Sequence, residues 1–434
     1  MQKFLRLSAG LVVLAMILAA CQQSASSSPS ASESAAPTQT AADVCAADAY
    51  GCVEVAEGDP IVVASANAIT GDVAFLGNDI NFGIEVAVND RGQVAGRDVE
   101  IQKEDGGCGD ATSGQTAAQA IVANPQVVAV IGTTCSRTAV PAMPVLNDAG
   151  LMMISPSNTA PGLTNPDHET FIGQEHLYFR TAYNDNVQGK AVAQFACDEL
   201  NAQTAATIHD GSPYAFQLQE VFVAQFAEIC GGTSQDAQAI NVGDTDFHAV
   251  LTTIAANAPD VIFMPIFDPE GPLVVNQVGD VAGLENTILI GADGVKDAGF
   301  IGAAGTVAQA LGMYFSGPDL NFGTAYTDDF LPKLLELEGT TAPLAPYHAQ
   351  AYDAANIIFD AIEAVAIDEG GTLFIPKGAL RDHVAGLTDY AGLTGTLTCD
   401  EFGDCGSPYV SIAQLKPDAT TGELTYQSIF TTRP

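Results

Sequence analysis

The chain has no tryptophan, and its 14 lysines and arginines face 52 aspartates and glutamates, for a formal charge of −38. Such a balance repels the phosphates of nucleic acid and the anionic face of a membrane, so the folded surface is not expected to bind either. Without tryptophan, a sugar site built on stacked indoles is disfavoured. Beyond the leader that ends at Cys21, no apolar run reaches the roughly 20 residues that a membrane-spanning helix needs. The short signatures of several catalytic classes are missing too. There is no G-x-x-x-x-G-K-[ST], no H-E-x-x-H, no G-x-S-x-G and no dinucleotide-binding glycine fingerprint. The six histidines are scattered. Only His209, in TIHDGSPY, stands at a strand end beside a carboxylate, and a structural role is expected for it. Accordingly no catalytic residue, metal or cofactor is expected.

What is present begins with that leader. Lys3 and Arg6 precede the apolar LVVLAMILAA, and LAAC closes the segment at Cys21. This reads as a secretory signal over residues 1–21 whose end looks like a lipobox, with Cys21 as the lipidated N-terminus of the mature chain. Loss of Lys3 and Arg6 leaves 12 basic against 52 acidic residues. The Ser/Ala/Pro/Thr-rich stretch from residue 22 cannot bury enough apolar area to offset chain entropy. Residues 22–58 are therefore expected to form a flexible tether with a small loop between Cys45 and Cys52. The location implied is extracytoplasmic, with the lipid as the only contact to the membrane.

Nine cysteines leave one over in an exported protein, and Cys21 accounts for it. The other eight fall into four local groups: Cys45 with Cys52, Cys108 with Cys135, Cys197 with Cys230, and Cys399 with Cys405. None has the C-x-x-C spacing of a zinc site, and export favours disulfides. Eight cysteines still allow 105 connectivities.

From residue 61 onward, apolar strands alternate with helical patterns. IVVASA, VEIQKE, VVAVIG and LMMIS read as strands, and DINFGIEVAVNDRG, TSGQTAAQAIVAN and SRTAVPAMPVLNDAG read as helices. A second βα series runs from DNVQGKAVAQFACDEL to TILIGA. Two helices (about 321–337 and 346–367) and three irregular strands follow. This order implies parallel sheets flanked by helices on both faces. The length suits two lobes, and the absence of a linker suits several crossings between them. Residues 59–182 plus 313–400 are expected to form the first lobe, and 183–312 plus 401–434 the second.

Open parallel sheets bind ligands beyond the carboxyl ends of their strands, where helix N-termini favour an anion. VVAVIG runs into Thr133, Thr134, Cys135, Ser136 and Thr138. LMMIS runs into Ser157, Asn158 and Thr159. Two neighbouring hydroxyl-bearing loops make a compact cradle for a carboxylate. Serine and threonine also serve simply as helix caps, and either loop alone would read that way.

At these residues the chain resembles the periplasmic leucine/isoleucine/valine-binding protein family, the type I solute-binding components of ABC importers. The likeness spans about residues 60–430. It rests on NDRGQVAGRDVEIQKEDGGC, on VIGTTCSRTAVPAMPVLNDAGLMMISPSNTAPGLT, and on FRTAYNDNVQGKAVAQF, HDGSPYAFQL, GADGV and YHAQAYDAANIIFDAIEAV in the same order. The resemblance implies two α/β lobes of the type I periplasmic-binding-protein fold, with a small molecule clamped in the interlobe cleft. It implies that Ser136 and Thr159 hold a ligand carboxylate and that the Ser157 carbonyl accepts from an ammonium. Asp293 would be the acidic partner of that ammonium, and Tyr214 and Phe267 would line the far wall. It also implies a Cys108–Cys135 disulfide beside the site, and with it the neighbouring pairing of the other six cysteines. The implied partners are an amino acid of branched-chain type or an analogue and an ABC permease, with the protein acting as a monomer. A ligand-binding sensor module for amides, urea or aromatic acids is the alternative. Three departures concern the ligand side chain: Leu76 replaces an aromatic at the pocket mouth, Arg137 follows Ser136, and Asp268 and Glu270 occupy IFDPEGP.

Overall fold

The computed structural model describes residues 40–307 and 309–433. The leader, with Cys21, lies outside them. Among the described residues no helix is long and apolar enough to cross a membrane.

Two sheets organise the chain. The first has six strands, in the order Gln93–Val94, Arg97–Asp105, Ile61–Asn67, Val127–Gly132, Met153–Ser155 and Tyr178–Arg180. All pairs are parallel except the opening hairpin. Ile61–Asn67 and Val127–Gly132 are buried at every position, as strands covered on both faces must be. Helices Ala74–Arg91, Ala111–Val122, Ser136–Asp148 and His348–Val365 cover this sheet and share its core.

The second sheet runs Gln238–Ala239, Thr204–His209, Val261–Met264, Ile288–Gly291, Tyr314–Pro318, Val410–Pro417 and Leu424–Thr431, with Thr233–Ser234 beside the second of these. Its last two strands are antiparallel additions. Helices Asp185–Asp198 and Pro213–Cys230 pack on one face, and Glu270–Val278 and Ala298–Ala304 on the other, each side with its own apolar core. The architecture is a two-lobed α/β fold of parallel sheets flanked by helices.

Three expected boundaries need correction. Tyr314–Pro318 pairs with Ile288–Gly291 and Val410–Pro417, so it belongs to the second sheet, and the return to the first lobe comes after Pro318, not before Met313. The stretch from Asp400 to Cys405 stays with the first lobe, because the fully buried Arg180 draws its carboxylate from Asp404 and its backbone pairs with Gly403 and Cys405. Finally, the segment from Ala41 to Val55 is not tether. Thr40 and Asp43 form a capping box for helix Ala41–Ala47, and Cys52–Val55 pairs antiparallel with Thr372–Pro376. Asp48 then accepts from the N–H groups of Gly378 and Ala379 at the start of helix Lys377–Ala385. These polar ties and the buried Val53 and Val55 hold the segment on the first lobe.

All four cysteine pairs are disulfides: Cys45–Cys52, Cys108–Cys135, Cys197–Cys230 and Cys399–Cys405.

Candidate functional site

Strand ends from both sheets converge on a cavity of about 20 Å³ lined by Leu76, Thr134, Cys135, Ser136, Ser157, Tyr214, Phe267, Asp293 and Tyr347. The volume is close to what one water needs, so the two lobes stand nearly in contact here.

On the wall formed by the first lobe, Val127–Gly132 delivers the chain into the Thr133–Ser136 loop. Gly132 has φ +147°, and a Cβ there would sit 2.9 Å from the Ala66 carbonyl oxygen of the adjacent strand, which requires glycine. The loop is knitted to its neighbour by hydroxyls and an amide. Ser157 Oγ donates to the Thr134 carbonyl at 2.8 Å, and Asn158 Nδ2 and Ser155 Oγ donate to the Thr133 carbonyl at 2.7 and 3.0 Å. Thr138 Oγ1 turns back to the Cys135 carbonyl. Most hydroxyls singled out in the sequence therefore shape the loops. What they leave open is the start of helix Ser136–Asp148, which no side chain caps. The Ser136 and Arg137 N–H groups have no acceptor among the described residues. Ser136 Oγ accepts from Ala160 N–H at 3.4 Å and keeps its own proton to donate. Three donors at a helix N-terminus suit a carboxylate.

On the opposite side, Asp293 opens the short turn Asp293–Val295 that follows strand Ile288–Gly291. It is 5% exposed. Its Oδ1 accepts from Gln188 Nε2 at 2.7 Å and from the Tyr214 hydroxyl at 3.0 Å, and its Oδ2 accepts from the Tyr347 hydroxyl at 2.9 Å. Burial pushes the Asp293 carboxyl up, and the hydrogen bonds from Gln188, Tyr347 and Tyr214 work against that. Among the described residues no cationic group lies within ion-pair distance of it. Lys296, just beyond the same turn, is lowered to about 8 by burial, against the opposing pull of the Asp293 and Asp319 charges. The cavity thus has N–H groups free to donate to an anion on one wall and, on the other, a buried carboxylate whose hydrogen bonds come only from neutral donors.

Aromatic rings close the remaining sides. Tyr214 sits in the first turn of helix Pro213–Cys230, whose cap Ser212 accepts from Ala215 N–H, and its ring centroid is 5.1 Å from that of Phe267. Tyr347 comes from the first lobe. Its N–H is held by Asp79 at 3.1 Å, and the Asp79–His348 pair behind it is wholly buried.

Of the residues expected at the site, Ser136, Ser157, Tyr214, Phe267 and Asp293 line this cavity, and Thr159 does not. Thr159 is fully buried behind the wall; its carbonyl accepts from Asp185 N–H, and its Oγ1 has no hydrogen-bond partner of good geometry. The neighbouring Asp185 carboxyl is pushed well up by burial and by the charge of Asp293. Tyr347 and Gln188 join the site without having stood out in the sequence. A glutamine among the small and apolar positions of its helix is the one signal that could have pointed to Gln188. His209 lies outside the cavity, its ring nitrogen accepting from Gly211 N–H. Arg137 bridges the lobes at the cleft mouth. It donates to the Gly109 carbonyl at 3.0 Å and the Asp210 carbonyl at 3.2 Å, and pairs with the Asp210 carboxylate at 3.4 Å.

The family model described as periplasmic binding protein matches residues 60–419. A Leu/Ile/Val-binding protein homologue of Brucella melitensis is 29% identical over 349 residues, covering 79% of this chain and 88% of the relative. The leucine-, isoleucine-, valine-, threonine- and alanine-binding protein of Pseudomonas aeruginosa is 28% identical, covering 84% of this chain and 92% of the relative. Among solved structures, the isoleucine complex of LivJ from Streptococcus pneumoniae superposes with a TM-score of 0.70 at 22% identity, covering 86% of this chain and 99% of that one. An R. palustris solute-binding protein in complex with 4-hydroxybenzoate gives a TM-score of 0.73 at 19% identity, covering 86% and 97%. A cleft between two parallel-sheet lobes, faced by strand ends from both and matched across nearly the whole folded chain by one family model, has one assignment: the chain belongs to the periplasmic binding protein family.

Proposed function

We propose that the protein captures an amino acid, of branched-chain type or an analogue, between its lobes and delivers it to an ABC importer. The ligand carboxylate meets the Ser136 and Arg137 N–H groups and the Ser136 hydroxyl, and its ammonium faces Asp293. Asp293 carries this reading: a buried carboxylate whose hydrogen bonds all come from neutral donors is the counterpart of a ligand ammonium, because a buried charge calls for a partner. The Tyr347–Asp293 hydrogen bond joins the lobes at the same point, so occupancy and closure are coupled there. The names of the relatives support the class of ligand. Aromatic acids, bound by one structural neighbour, offer Asp293 no cation. The chain is proposed to act outside the cytoplasm as a monomer, tethered through lipidated Cys21 and docking on a permease.

A thermal-shift screen of the proteinogenic amino acids with amides, urea and aromatic acids tests this. A ligand at about 100 times its Kd stabilises by about 2.7 kcal/mol. Stabilisation by one or a few α-amino acids is expected; a response to aromatic acids or amides alone would overturn the reading.

A further inference from the structure

A second cavity, of about 180 Å³, adjoins the first and shares Phe267 with it. The Cys108–Cys135 disulfide joins the two walls, with Cys135 in the first cavity and Cys108 in the second. A ligand held by its α-carboxylate and ammonium has its side chain free to extend past Phe267 into this space. The apolar part of the lining, Val73, Val242 and Phe267, suits methylene groups. The rest of the lining does not suit a branched aliphatic side chain: Asp72, Asp210, Asp268 and Glu270 all face the cavity, and no lysine or arginine does.

The four carboxylates are not equivalent. Asp210 is already paired with Arg137, and Asp72 is exposed at the mouth. Glu270 is 3% exposed. One of its oxygens accepts from Gly243 N–H; the other has no donor, and no cation is in reach among the described residues. Asp268 makes no hydrogen bond through either oxygen, and its Oδ1 is sealed from solvent. Behind it, Asp297 is 4% exposed with its Oδ2 likewise unpartnered, and both carboxylates flank Gly299. Burial and then the charges of Asp297, Glu270 and Asp72 drive Asp268 up to about 8. The cavity wall therefore gathers carboxyl groups that no cation of the protein pairs with, and Asp268 keeps its proton at neutral pH until a cation enters to take its place.

We propose that the preferred ligand is an α-amino acid whose side chain ends in a cation, with the methylenes along Phe267 and the cationic group between Asp268 and Glu270. This rests on the α-amino-acid reading of the first cavity, keeps its carboxylate and ammonium contacts, and puts a cationic side chain in place of the branched-chain one. The cationic end makes charge-assisted hydrogen bonds to Asp268 and to the buried Glu270, and such bonds are stronger than those between neutral groups.

Calorimetry with L-lysine and L-norleucine, which share a straight four-carbon side chain and differ in the terminal ammonium, tests it directly. Lysine is expected to bind at least tenfold more tightly to the wild type. In the Asp268→Asn/Glu270→Gln double variant that preference should disappear, with norleucine binding unchanged or improved. The wild-type comparison stands even where the double variant folds poorly. Norleucine or leucine binding as tightly as lysine, or a double variant that keeps the lysine preference, would overturn this inference and leave the amino-acid reading intact. Absence of binding by any α-amino acid would overturn both.

Discussion

Asp293→Asn separates the charge of the site from its shape. The amide is isosteric with the carboxylate, and the Tyr214 and Tyr347 hydroxyls can rotate to accept from its NH₂ in place of donating. The ligand ammonium then loses its only buried counter-charge, since no other carboxylate lines the first cavity. Removing one member of a buried, hydrogen-bonded charge pair costs on the order of 2–5 kcal/mol. That is a rise in Kd of roughly 30-fold or more. The free protein should respond in the opposite sense. Burial already raises the Asp293 carboxyl, so the unliganded chain carries a desolvation cost that the neutral amide removes. Calorimetry on the best ligand and thermal unfolding of the free protein should therefore diverge, with affinity much weaker and melting temperature unchanged or higher. An unchanged Kd would refute the argument. A melting temperature that collapses together with affinity would mean that Asp293 is a structural residue and not the ammonium's partner.

Tyr347→Phe removes the hydroxyl that ties the first lobe to Asp293. A hydrogen bond to a charged group contributes about 1.5–3 kcal/mol to stability, and this one is made without ligand, so urea unfolding should show a loss of about that size; an unchanged unfolding free energy would contradict it. The Arg180–Asp404 pair should make stability pH-dependent. Burial raises Asp404, but the Arg180 charge and the hydrogen bonds from Arg180 and Asn184 outweigh it and hold the carboxyl below its usual range. Its contribution is thus present above the unfolded pKa of about 4 and is lost as pH falls through the lower folded value. Urea unfolding should find Asp404→Asn about 3 kcal/mol less stable than wild type at neutral pH, with the gap closing at strongly acid pH; a gap that persists there would contradict the linkage. Replacing Cys108 and Cys135 with alanine opens a loop closed over a sequence separation of 27, and urea unfolding should show a loss of about 3.5 kcal/mol by the loop-entropy argument.

The βα alternation is plain in the sequence because buried parallel strands are continuous apolar runs and the helices between them end on glycine or asparagine. The loops at 133–138 and 155–159 are legible for the same reason: they interrupt two of the most apolar strands with hydroxyls. What those hydroxyls do is not legible. Ser157, Thr138 and Asn158 hold neighbouring carbonyls, while the donors left open are backbone N–H groups, which no residue type advertises. Tyr347, just ahead of helix His348–Val365, and Gln188, in helix Asp185–Asp198, reach the site from different lobes, far apart in sequence, and only the packing of those lobes brings them to Asp293. The crossing after Pro318 is hidden because Tyr314–Pro318 is short and is placed in its sheet by long-range pairings with Ile288–Gly291 and Val410–Pro417. The N-terminal segment reads as tether by composition; its anchors are Glu369, Gly378 and Ala379, near the other end of the chain.

We propose above that the two lobes read a zwitterion, anion side on helix Ser136–Asp148 and cation side on Asp293. A crystal structure with the tightest-binding amino acid from the screen tests it most directly. The α-ammonium is expected within about 2.7–2.9 Å of an Asp293 oxygen and the α-carboxylate on the Ser136 and Arg137 N–H groups. A ligand bound with its carboxylate toward Asp293, or seated outside this cavity, would contradict it.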